Sequence, residues 1–599
     1  MTRGINETLG TENVLWNLAD LYQGTDDQAI TQDIQFCEEE AAAINASFST
    51  KVASLDQQEL SSLVTRLEHL ETVLGRIATF AFLNFTTRIK DSEAGAFLQK
   101  TREVISRIGK ETVFFELEWS KVDADQATQL VSTDILKHYS HYLESLRRYA
   151  DHHLSKIEET LLLERAPVGR SSWTNLFDKV IGHIAFGEKK RTEEEVLSEL
   201  YSPDRTTRQQ AAAELTAGLS DQLHILTHIF NTLLADKMID DRLRSYPSWV
   251  SSMNLYNELP DDTVDVLVEC VTKRYDIPQR YYRIKRELLG LDELMDFDRY
   301  APLPHLNGSP EDATDNGLIP WGECQRTVLN AFGAFSPQMA DIAQYFFDKQ
   351  WIHAPILEGK RGGAFAHPCI PAVHPYIMVN YTGNLRDVST VAHELGHGIH
   401  QYLAADLGYY NSNTPLVLAE TASVFGELLV FHAQLATIAD PQKKKAYICQ
   451  KLESIFATVF RQVTMNRFEH FIHNNRRKGK ELSTEDISKS WIDTQRNMFG
   501  DSVLLTDDYA IWWSYIPHFL STPGYVYSYA FGELLVLALY KIYQEEKEAF
   551  VPKYIELLRA GGSRSPASLV EPFGISLDDP DFWMGGLDII NDLLNSIAE

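Results

Sequence analysis

The sequence contains few cysteines for its length. Its 599 residues include only Cys37, Cys270, Cys324, Cys369 and Cys449, and no two of them form a CxxC pair. An odd number of widely separated cysteines offers neither a disulfide framework nor a thiolate metal cluster. We therefore expect a protein of a reducing compartment and predict a cytoplasmic location.

Positive charge is also scarce. The chain has 55 Lys and Arg against 84 Asp and Glu, which gives a formal net charge of −29 at pH 7. A surface of this sign repels the phosphates of nucleic acids and of anionic membranes. The composition is therefore compatible with solubility and with small ligands, but it disfavours nucleic acids and membrane surfaces as partners.

Long apolar runs, a leader and repeats are missing as well. The most apolar stretch, ELLVLALYKIY at 533–543, is shorter than the roughly 20 residues that a bilayer requires. The first residues lack the basic start, apolar stretch and small-residue cleavage site of a secretory signal. No fixed repeat period is visible. We expect neither a membrane span nor a solenoid.

The dominant pattern in the sequence is helical periodicity. Apolar residues spaced three and four apart run from Leu60 to Ile77 and again from Leu215 to Leu233. With a hydrophobic content of 44%, this pattern predicts a mostly α-helical protein of two or three lobes. Pro and Gly punctuation near residue 200 predicts a boundary there, which separates an N-terminal helical region, 1–200, from 201–599.

One short stretch predicts β-structure. Residues Tyr376 to Tyr381, YIMVNY, are apolar and β-prone, and they lie between Pro375 and a Thr-Gly-Asn turn signature. A helix is predicted directly afterwards, with Asp387 as its N-cap. This strand therefore immediately precedes the helix that carries the most informative motif.

That motif is His393-Glu394-Leu395-Gly396-His397. Histidines at i and i+4 stand one turn apart on the same face of a helix, so both rings can bind one Zn²⁺. Glu394 beside them suits a base that deprotonates a zinc-bound water for attack on a peptide bond. The alternative is a pair of helix histidines without metal, and a purely structural site would have no use for the base.

A catalytic zinc needs a third protein ligand, for which His400 and Glu420 are the candidates. Three histidines spread over two turns of one helix span too far for a compact tetrahedron, which disfavours His400. Glu420 begins ETASVFGE, a predicted helix that would present it to His393 and His397 if it ran antiparallel. We predict Glu420 as the third ligand of one Zn²⁺ per chain; a solvated helix residue is the alternative.

Donors for the transition state are predicted around the bend at Pro523-Gly524. Peptide hydrolysis develops an oxyanion, and phenols or an imidazole can donate hydrogen bonds to it without carrying a full charge. If the residues after the bend are helical, Tyr525 and Tyr529 share a face; if they are extended, Tyr527 joins them. We prefer His518, Tyr525 and Tyr529 as donors, with an aromatic packing cluster as the alternative.

Three segments in this order resemble the oligoendopeptidase F branch of the thimet-oligopeptidase family of zinc metallopeptidases. They are HPYIMVNYTGNLRDVSTVAHELGHGIH at 374–400, LAETASVFGE at 418–427 and HFLSTPGYVYSYAFGE at 518–533. The resemblance implies that His393, His397 and Glu420 are zinc ligands and that Glu394 is the general base. It matches His518 and the tyrosines to the transition-state donors of the family.

The resemblance also carries expectations about architecture. It implies that about 115–190 is a smaller N-terminal helical domain and that 201–599 is the zinc peptidase region. The fold it implies is a bilobed, nearly all-helical body with the zinc at the bottom of a deep substrate channel. Such a channel would admit a flexible peptide and exclude a folded domain.

The sequence therefore predicts a zinc-dependent endopeptidase whose partners are short peptides. The strand Tyr376 to Tyr381 is expected to bind the peptide backbone as an added strand. Two alternatives stay open: a dipeptide-releasing zinc carboxypeptidase, which would need a cationic anchor for the terminal carboxylate, and a non-catalytic, zinc-stabilised peptide-binding protein. The oligomeric state and the cleavage preference are not predicted.

Overall fold

The computed structural model of the chain describes residues 2–303 and 318–598. It is 72% helical and 2% strand, which confirms the prediction of a mostly α-helical protein. The chain forms two compact units. The first comprises Met1–Lys156, Ala313–Thr437 and Ile542–Gly574, and the second comprises Ile157–Asp312, Ile438–Lys541 and Ile575–Glu599. Each unit is therefore assembled from three separate segments of the chain.

The helices account for most of the fold. In the N-terminal half they are α1 (Thr2–Leu9), α2 (Gln28–Phe48), α3 (Gln57–Thr86), α4 (Ser92–Thr112), α5 (Phe114–Trp119), α6 (Ala124–Val131), α7 (Ser140–Arg147), α8 (Lys156–Arg165), α9 (Arg170–His183), α10 (Glu193–Glu199), α11 (Arg205–Leu243), α12 (Ser251–Tyr256), α13 (Asp261–Lys273) and α14 (Asp276–Leu288). In the remainder they are α15 (Trp321–Phe335), α16 (Pro337–Asp348), α17 (Leu385–Ala404), α18 (Gly408–Asn411), α19 (Leu416–Thr437), α20 (Pro441–Thr458), α21 (Phe460–Arg477), α22 (Thr484–Phe499), α23 (His518–Ser521), α24 (Tyr527–Glu546), α25 (Phe550–Arg559), α26 (Pro566–Val570) and α27 (Pro580–Ala598).

The predicted boundary near residue 200 does not coincide with the boundary between the two units. It falls inside the second unit, in the link between α10 and α11. Sequence punctuation marks where a local element ends, whereas a compact unit is defined by contacts that also join distant segments of the chain. The division into 1–200 and 201–599 therefore stays a prediction about sequence regions.

The two periodic stretches of the sequence are long helices, as predicted. The stripe from Leu60 to Ile77 lies on α3, which a capping box between Asp56 and Glu59 begins, and the face formed by this stripe is largely buried. The stripe from Leu215 to Leu233 lies on α11 and contributes to the core of the second unit. Amphipathic spacing was sufficient to find both helices because each buries one continuous face.

A small sheet in the first unit contains β1 (Ile352–His353), β2 (Phe365–His367) and β3 (Tyr376–Met378) in the order β1-β3-β2. β3 pairs parallel to β1 and antiparallel to β2. The strand predicted over Tyr376 to Tyr381 is therefore real but shorter. The prediction that it binds substrate backbone is wrong, because both of its edges already have partners.

The buried side chain of Lys360 stabilises this sheet through hydrogen bonds to backbone carbonyls. Its buried ammonium donates to three carbonyl oxygens, those of His353 at 3.1 Å, Pro355 at 2.8 Å and Val379 at 2.6 Å. Three acceptors match the three N–H bonds of a lysine head group. Burial lowers the pKa of Lys360 to about 7. These bonds join the end of β1 and the residue Pro355 after it to Val379, which follows β3.

The core of the second unit fixes the segment that precedes the predicted tyrosine donors. Phe230 of α11 packs against Trp513 with ring centroids 4.7 Å apart, and Phe519 packs against Phe468 of α21 at 5.0 Å. Trp513 belongs to a 3-10 helix, Asp507–Tyr515, that packs against α11. His518, next to Phe519 in the chain, is consequently held by a rigid aromatic cluster.

One described helix, α19, is long and apolar enough to cross a bilayer by length and composition. Its mean hydropathy over an 18-residue window is 1.5, and 67% of that window is buried inside the structure. It packs against α17 and carries Glu420, so it is placed as a core helix of the first unit.

Candidate metal site and active site

The helix that carries the two motif histidines, α17, begins at Leu385. Its N-cap is Asn384, whose side-chain oxygen accepts the Asp387 N–H at 3.0 Å, and Asp387 accepts the Asn384 N–H in return. The prediction of Asp387 as N-cap is wrong by three residues, because the Asn-Asp pair forms a reciprocal capping box. The helix phase is unaffected, so the histidines still share a face.

His393 and His397 stand close together on that face. Their ring centroids are 4.9 Å apart and the ring planes cross at 82°. Both side chains are partly accessible, at 27% and 18% exposure. The pair is therefore open enough to receive an ion and close enough to share it.

Glu420 joins the histidines from α19, which starts four residues earlier than predicted, at Leu416. Its Oε2 lies 3.4 Å from Nε2 of His393 and 3.6 Å from Nε2 of His397. The donor atoms of the three residues all lie within 4.8 Å of one another. Donors placed about 2.0–2.1 Å from a tetrahedral ion would lie roughly 3.3 Å apart, so this triad fits Zn²⁺ with little adjustment.

Two glycines allow α17 and α19 to approach closely. A Cβ on Gly396 would lie 2.4 Å from the carbonyl oxygen of Ala422, and one on Gly426 would lie 3.1 Å from that of Ala392. Because Gly396 meets residue 422 while residue 392 meets Gly426, the helices run antiparallel, as predicted. Sequence reasoning did not assign these glycines, although their positions inside helices were a signal of close packing.

Hydrogen bonds hold Glu420 in place. Its Oε2 accepts the hydroxyl of Ser423 at 2.7 Å, and the neighbouring carbonyl of Thr421 accepts the buried hydroxyl of Tyr554 at 2.9 Å. Glu427 lies on the other side of His393, with its Oε2 4.0 Å from Nδ1 of that ring. Such supporting contacts orient the ligands of a metal site and tune their affinity for the ion.

The electrostatics of the triad suit a metal ligand set. Burial lowers the pKa of His397, opposed by the charge of Glu420. Burial alone would raise the pKa of Glu420, but His397 and His393 outweigh it and hold the pKa below its usual value. Two imidazoles and one carboxylate are donors that a borderline-soft dication prefers.

Glu394 lies beside the triad without joining it. Its side chain is buried, at 6% exposure, and the backbone N–H of Ala366 in β2 hydrogen-bonds to its carboxylate. Burial raises the pKa of Glu394 to about 7, although His393 and the Ala366 bond act in the opposite direction. A carboxyl group held in this way can exchange a proton near neutral pH.

His400 is not one of the three converging residues, although it lies on the same helix. Its buried ring is 3.3 Å, through Nε2, from the hydroxyl of Thr414. Burial, with a contribution from His397, lowers its pKa to about 3. It does not belong to the group of metal-ligating atoms found among the described residues.

The predicted donors lie in the second unit and form a cluster of their own. The hydroxyl of Tyr529 is 3.3 Å from Nε2 of His518, and the rings of Tyr525 and Tyr529 are 4.9 Å apart. Both tyrosines are half-buried. Tyr527 is fully buried, and its hydroxyl accepts the side-chain N–H of Asn257 at 2.8 Å. Tyr525 and Tyr529 therefore pair as the helical alternative predicted, although α24 begins only at Tyr527, and Tyr527 has a packing role.

A further residue, which sequence reasoning missed, fixes the bend before these tyrosines. Glu469 of α21 is fully buried, and its Oε1 accepts the backbone N–H of Gly524 at 2.9 Å. Gly524 has a φ of +82°, a left-handed conformation in which a side chain would be strained. Burial raises the pKa of Glu469 to about 8. The sequence signal that could have identified Glu469 was an acidic residue on the buried side of an otherwise amphipathic helix.

The fold and these side chains define a helical protein with a candidate single-metal site, and comparison with known proteins identifies its class. Residues 335–589 match the model of peptidase family M3, and residues 118–186 match the model named Oligopeptidase F. Oligopeptidase PepF of Bacillus subtilis (strain 168) is 27% identical over 598 residues, which cover 98% of this chain and 87% of the relative. An oligoendopeptidase F homolog of Borreliella burgdorferi is 23% identical, covering 96% of each chain.

Solved structures agree on the fold. A crystallised protein of Chlamydophila abortus superposes with a TM-score of 0.84 at 23% identity, covering 98% of each chain. Oligoendopeptidase-F of Enterococcus faecium has a TM-score of 0.72 at 21% identity, covering 96% of this chain and 100% of its own. The chain thus resembles peptidase family M3, a family of metallopeptidases, over residues 335–589. Within it, the resemblance to the oligoendopeptidase F branch is confirmed.

Proposed function

We propose that this peptidase is a zinc-dependent endopeptidase that hydrolyses internal bonds of short peptides. The observation that carries the proposal is the convergence of His393, His397 and Glu420 beside the buried carboxyl of Glu394. The relatives are named oligopeptidase and oligoendopeptidase F, which supports short peptides as substrates. When bound, Zn²⁺ would supply Lewis acidity, which makes water more acidic and polarises a peptide carbonyl.

Glu394 supplies the proton transfers. It is next to His393 in the chain but is not one of the three converging donors, so its carboxylate is free to accept the proton of the attacking water. The same oxygen then returns that proton to the nitrogen of the departing amine. The Ala366 N–H holds the carboxylate in one orientation during both transfers.

His518, Tyr525 and Tyr529 are proposed to stabilise the oxyanion. The hydroxyl of Tyr529 and Nε2 of His518 already lie 3.3 Å apart, so these two polar groups can serve one acceptor. Glu469 and Gly524 preset the bend that places them. Donors held before the reaction begins cost no reorganisation in the transition state.

The substrate backbone is proposed to add to β2 rather than to β3. In an antiparallel ladder, consecutive residues point their N–H and C=O groups alternately toward and away from the partner strand. Because the Ala366 N–H bonds Glu394, the backbone groups of Ala366 point away from β3. The edge of β2 that has no partner strand within 2–303 and 318–598 therefore lies beside the base, where an extended peptide could bind.

The decisive experiment measures hydrolysis of an internally quenched peptide together with the zinc content of each sample. We expect the chelated protein and Glu394→Gln to lose at least a hundredfold in kcat, while Glu394→Gln keeps its zinc. Glu323→Gln, an exposed carboxyl of α15, is the matched control and should behave as wild type. Full turnover by Glu394→Gln would refute the mechanism. A zinc-containing wild type that cleaves nothing would favour the non-catalytic alternative.

The third ligand is tested by the zinc content of two further variants. Glu420→Ala should lose zinc, since it removes one of the three converging donors. His400→Ala should retain zinc, because His400 is directed to Thr414. Zinc loss in the second variant only would assign the ligand to His400 instead.

The dipeptide-releasing carboxypeptidase is the second candidate within enzymes. A peptide with an amidated C-terminus separates the two activities, because an endopeptidase still cleaves it at the internal bond. Loss of all cleavage on amidation would overturn the endopeptidase assignment and favour the carboxypeptidase.

A further inference from the structure

A single side chain holds residues 361–364, the segment that precedes β2. The amide of Asn380, two residues after the end of β3, donates to the carbonyl oxygens of Arg361 at 3.0 Å and Gly363 at 2.9 Å. If the register of β2 on β3 continued, Asn380 would lie opposite Gly363. The side chain therefore takes the place of the backbone hydrogen bonds by which the two strands would otherwise continue to pair.

The pairing of β3 shows which backbone groups face outward. The N–H of Ile377 donates to the carbonyl oxygen of Trp351 at 2.9 Å, so the backbone groups of Ile377 face β1 rather than β2. Its register partner in β2 is Ala366, whose backbone groups consequently face away from β3. Outward backbone groups recur at every second residue of a strand, so the next positions before Ala366 are Ala364 and Gly362.

Gly362 and Ala364 alternate with the residues that Asn380 and β3 hold. Neither of the two forms a hydrogen bond with any other residue in the described ranges, 2–303 and 318–598. Gly362 is exposed and Ala364 is half-buried, so solvent reaches both residues. The row of outward backbone groups that includes Ala366 therefore continues to Gly362.

The fold itself does not require a glycine at position 362. The φ of Gly362 lies outside the left-handed region, and a Cβ added there would meet nothing within 4 Å. Gly363 is different, because its φ of +77° favours glycine. A glycine that neither backbone conformation nor packing requires is typical of a place where another backbone approaches closely.

We propose that Asn380 extends the substrate-binding edge of β2 as far as Gly362, so that an extended peptide pairs with residues 362–366 and not with β2 alone. Asn380 does not touch the peptide in this arrangement. It is a positioning residue that keeps two carbonyl groups turned inward and so keeps the intervening backbone turned outward. Backbone pairing of this kind gives affinity with little sequence preference, and it favours peptides long enough to cover the edge. The inference rests on the proposed function, in which the peptide adds to β2 beside Glu394.

The test combines Asn380→Asp with peptides that carry one N-methyl group at successive positions. Asp has nearly the shape of Asn but lacks both N–H donors. In wild type we expect N-methylation at alternate positions along 362–366 to lower kcat/KM by about 3- to 10-fold, the value of one hydrogen bond. Asn380→Asp should raise KM with kcat little changed, and the positions farthest from β2 should become insensitive to N-methylation while the position beside Ala366 stays sensitive. Asn13→Asp, at an exposed asparagine of the same unit, is the control.

Gly362→Val tests the same edge without changing Asn380. We expect an unchanged melting temperature, because the fold leaves room for the side chain, together with a raised KM. Binding of the N-methylated peptides to the Glu394→Gln protein gives a readout that does not need turnover. Outer positions that are insensitive in wild type, or equally sensitive in wild type and Asn380→Asp, would overturn the proposal, as would an unchanged KM in Gly362→Val. If the peptides bind with the expected pattern but wild type cleaves none, the proposed function fails while the extended edge stands.

Discussion

At the scale of single residues, the candidate metal site depends on a glycine as much as on its ligands. The α17–α19 contact brings the backbone of Ala422 to a point where a Cβ on Gly396 would lie 2.4 Å from its carbonyl oxygen. No real Cβ tolerates such a distance from a backbone atom, so one of the helices would have to move. Glu420 moves with α19, and the spacing of the three donors depends on it.

We therefore predict that Gly396→Ala lowers zinc content and activity together and destabilises the first unit by about 1–3 kcal/mol, the usual cost of overpacking. Gly322→Ala in α15 is the control, because a Cβ there meets nothing within 4 Å. Calorimetry and metal analysis of the two variants check this. Full zinc occupancy in Gly396→Ala would show that the contact is not needed.

Glu469 gives a prediction about pH. Burial raises its folded pKa to about 8, above the usual value near 4.5, so the folded state keeps a proton that the unfolded state releases. Its contribution to the free energy of unfolding is therefore full below about pH 4.5 and is lost as pH rises toward 8.

Glu469→Gln cannot titrate but still offers an oxygen to the Gly524 N–H. We expect the melting temperature of this variant, relative to wild type, to rise steadily between pH 5 and pH 8. Differential scanning fluorimetry across this range measures the difference, in which contributions from other groups cancel. A difference that is independent of pH would show that Glu469 is ionised in the folded protein.

At the scale of elements, we proposed that the substrate backbone pairs with β2, and a backbone contact of this kind has a period of two residues. Peptides carrying a single N-methyl group at successive positions should lose kcat/KM at alternate positions on one side of the cleaved bond. Hydrolysis assays of such a series measure the pattern. A uniform loss, or a loss at adjacent positions, would exclude pairing with β2.

Elements also show how far the sequence could predict the structure. The motif histidines and the long helices α3 and α11 depend on spacing within one element, so the sequence was sufficient for them. The order of the sheet was not predictable, since β1 and β2 are two and three residues long and have too little pattern. The hydroxyl of Tyr554 donates a hydrogen bond to the carbonyl of Thr421, 133 residues away in the sequence. No local sequence pattern indicates such a contact.

At the scale of the whole molecule, the net charge of −29 predicts which peptides the protein attracts from solution. A strongly acidic protein attracts cationic peptides from solution, and salt weakens that attraction because the screening length is about 10 Å at 0.1 M. We expect kcat/KM for a lysine-rich peptide to fall with salt more steeply than for a neutral peptide of equal length. Stopped-flow or steady-state assays between low and high salt measure the slopes; equal slopes would contradict the expectation.

The cytoplasmic location and the substrate channel stay predictions of the sequence.

The first unit is assembled from three separate segments of the chain, and this affects when it can fold during translation. Its last segment, Ile542–Gly574, supplies the tyrosine that bonds the backbone beside Glu420. Chains are synthesised from the N-terminus, and units fold once all their parts have emerged from the ribosome. The histidines are therefore translated well before the helix that supports their partner. We expect a nascent chain to have no complete metal site until its synthesis is nearly over. During that time it would not cleave other unfinished polypeptides nearby.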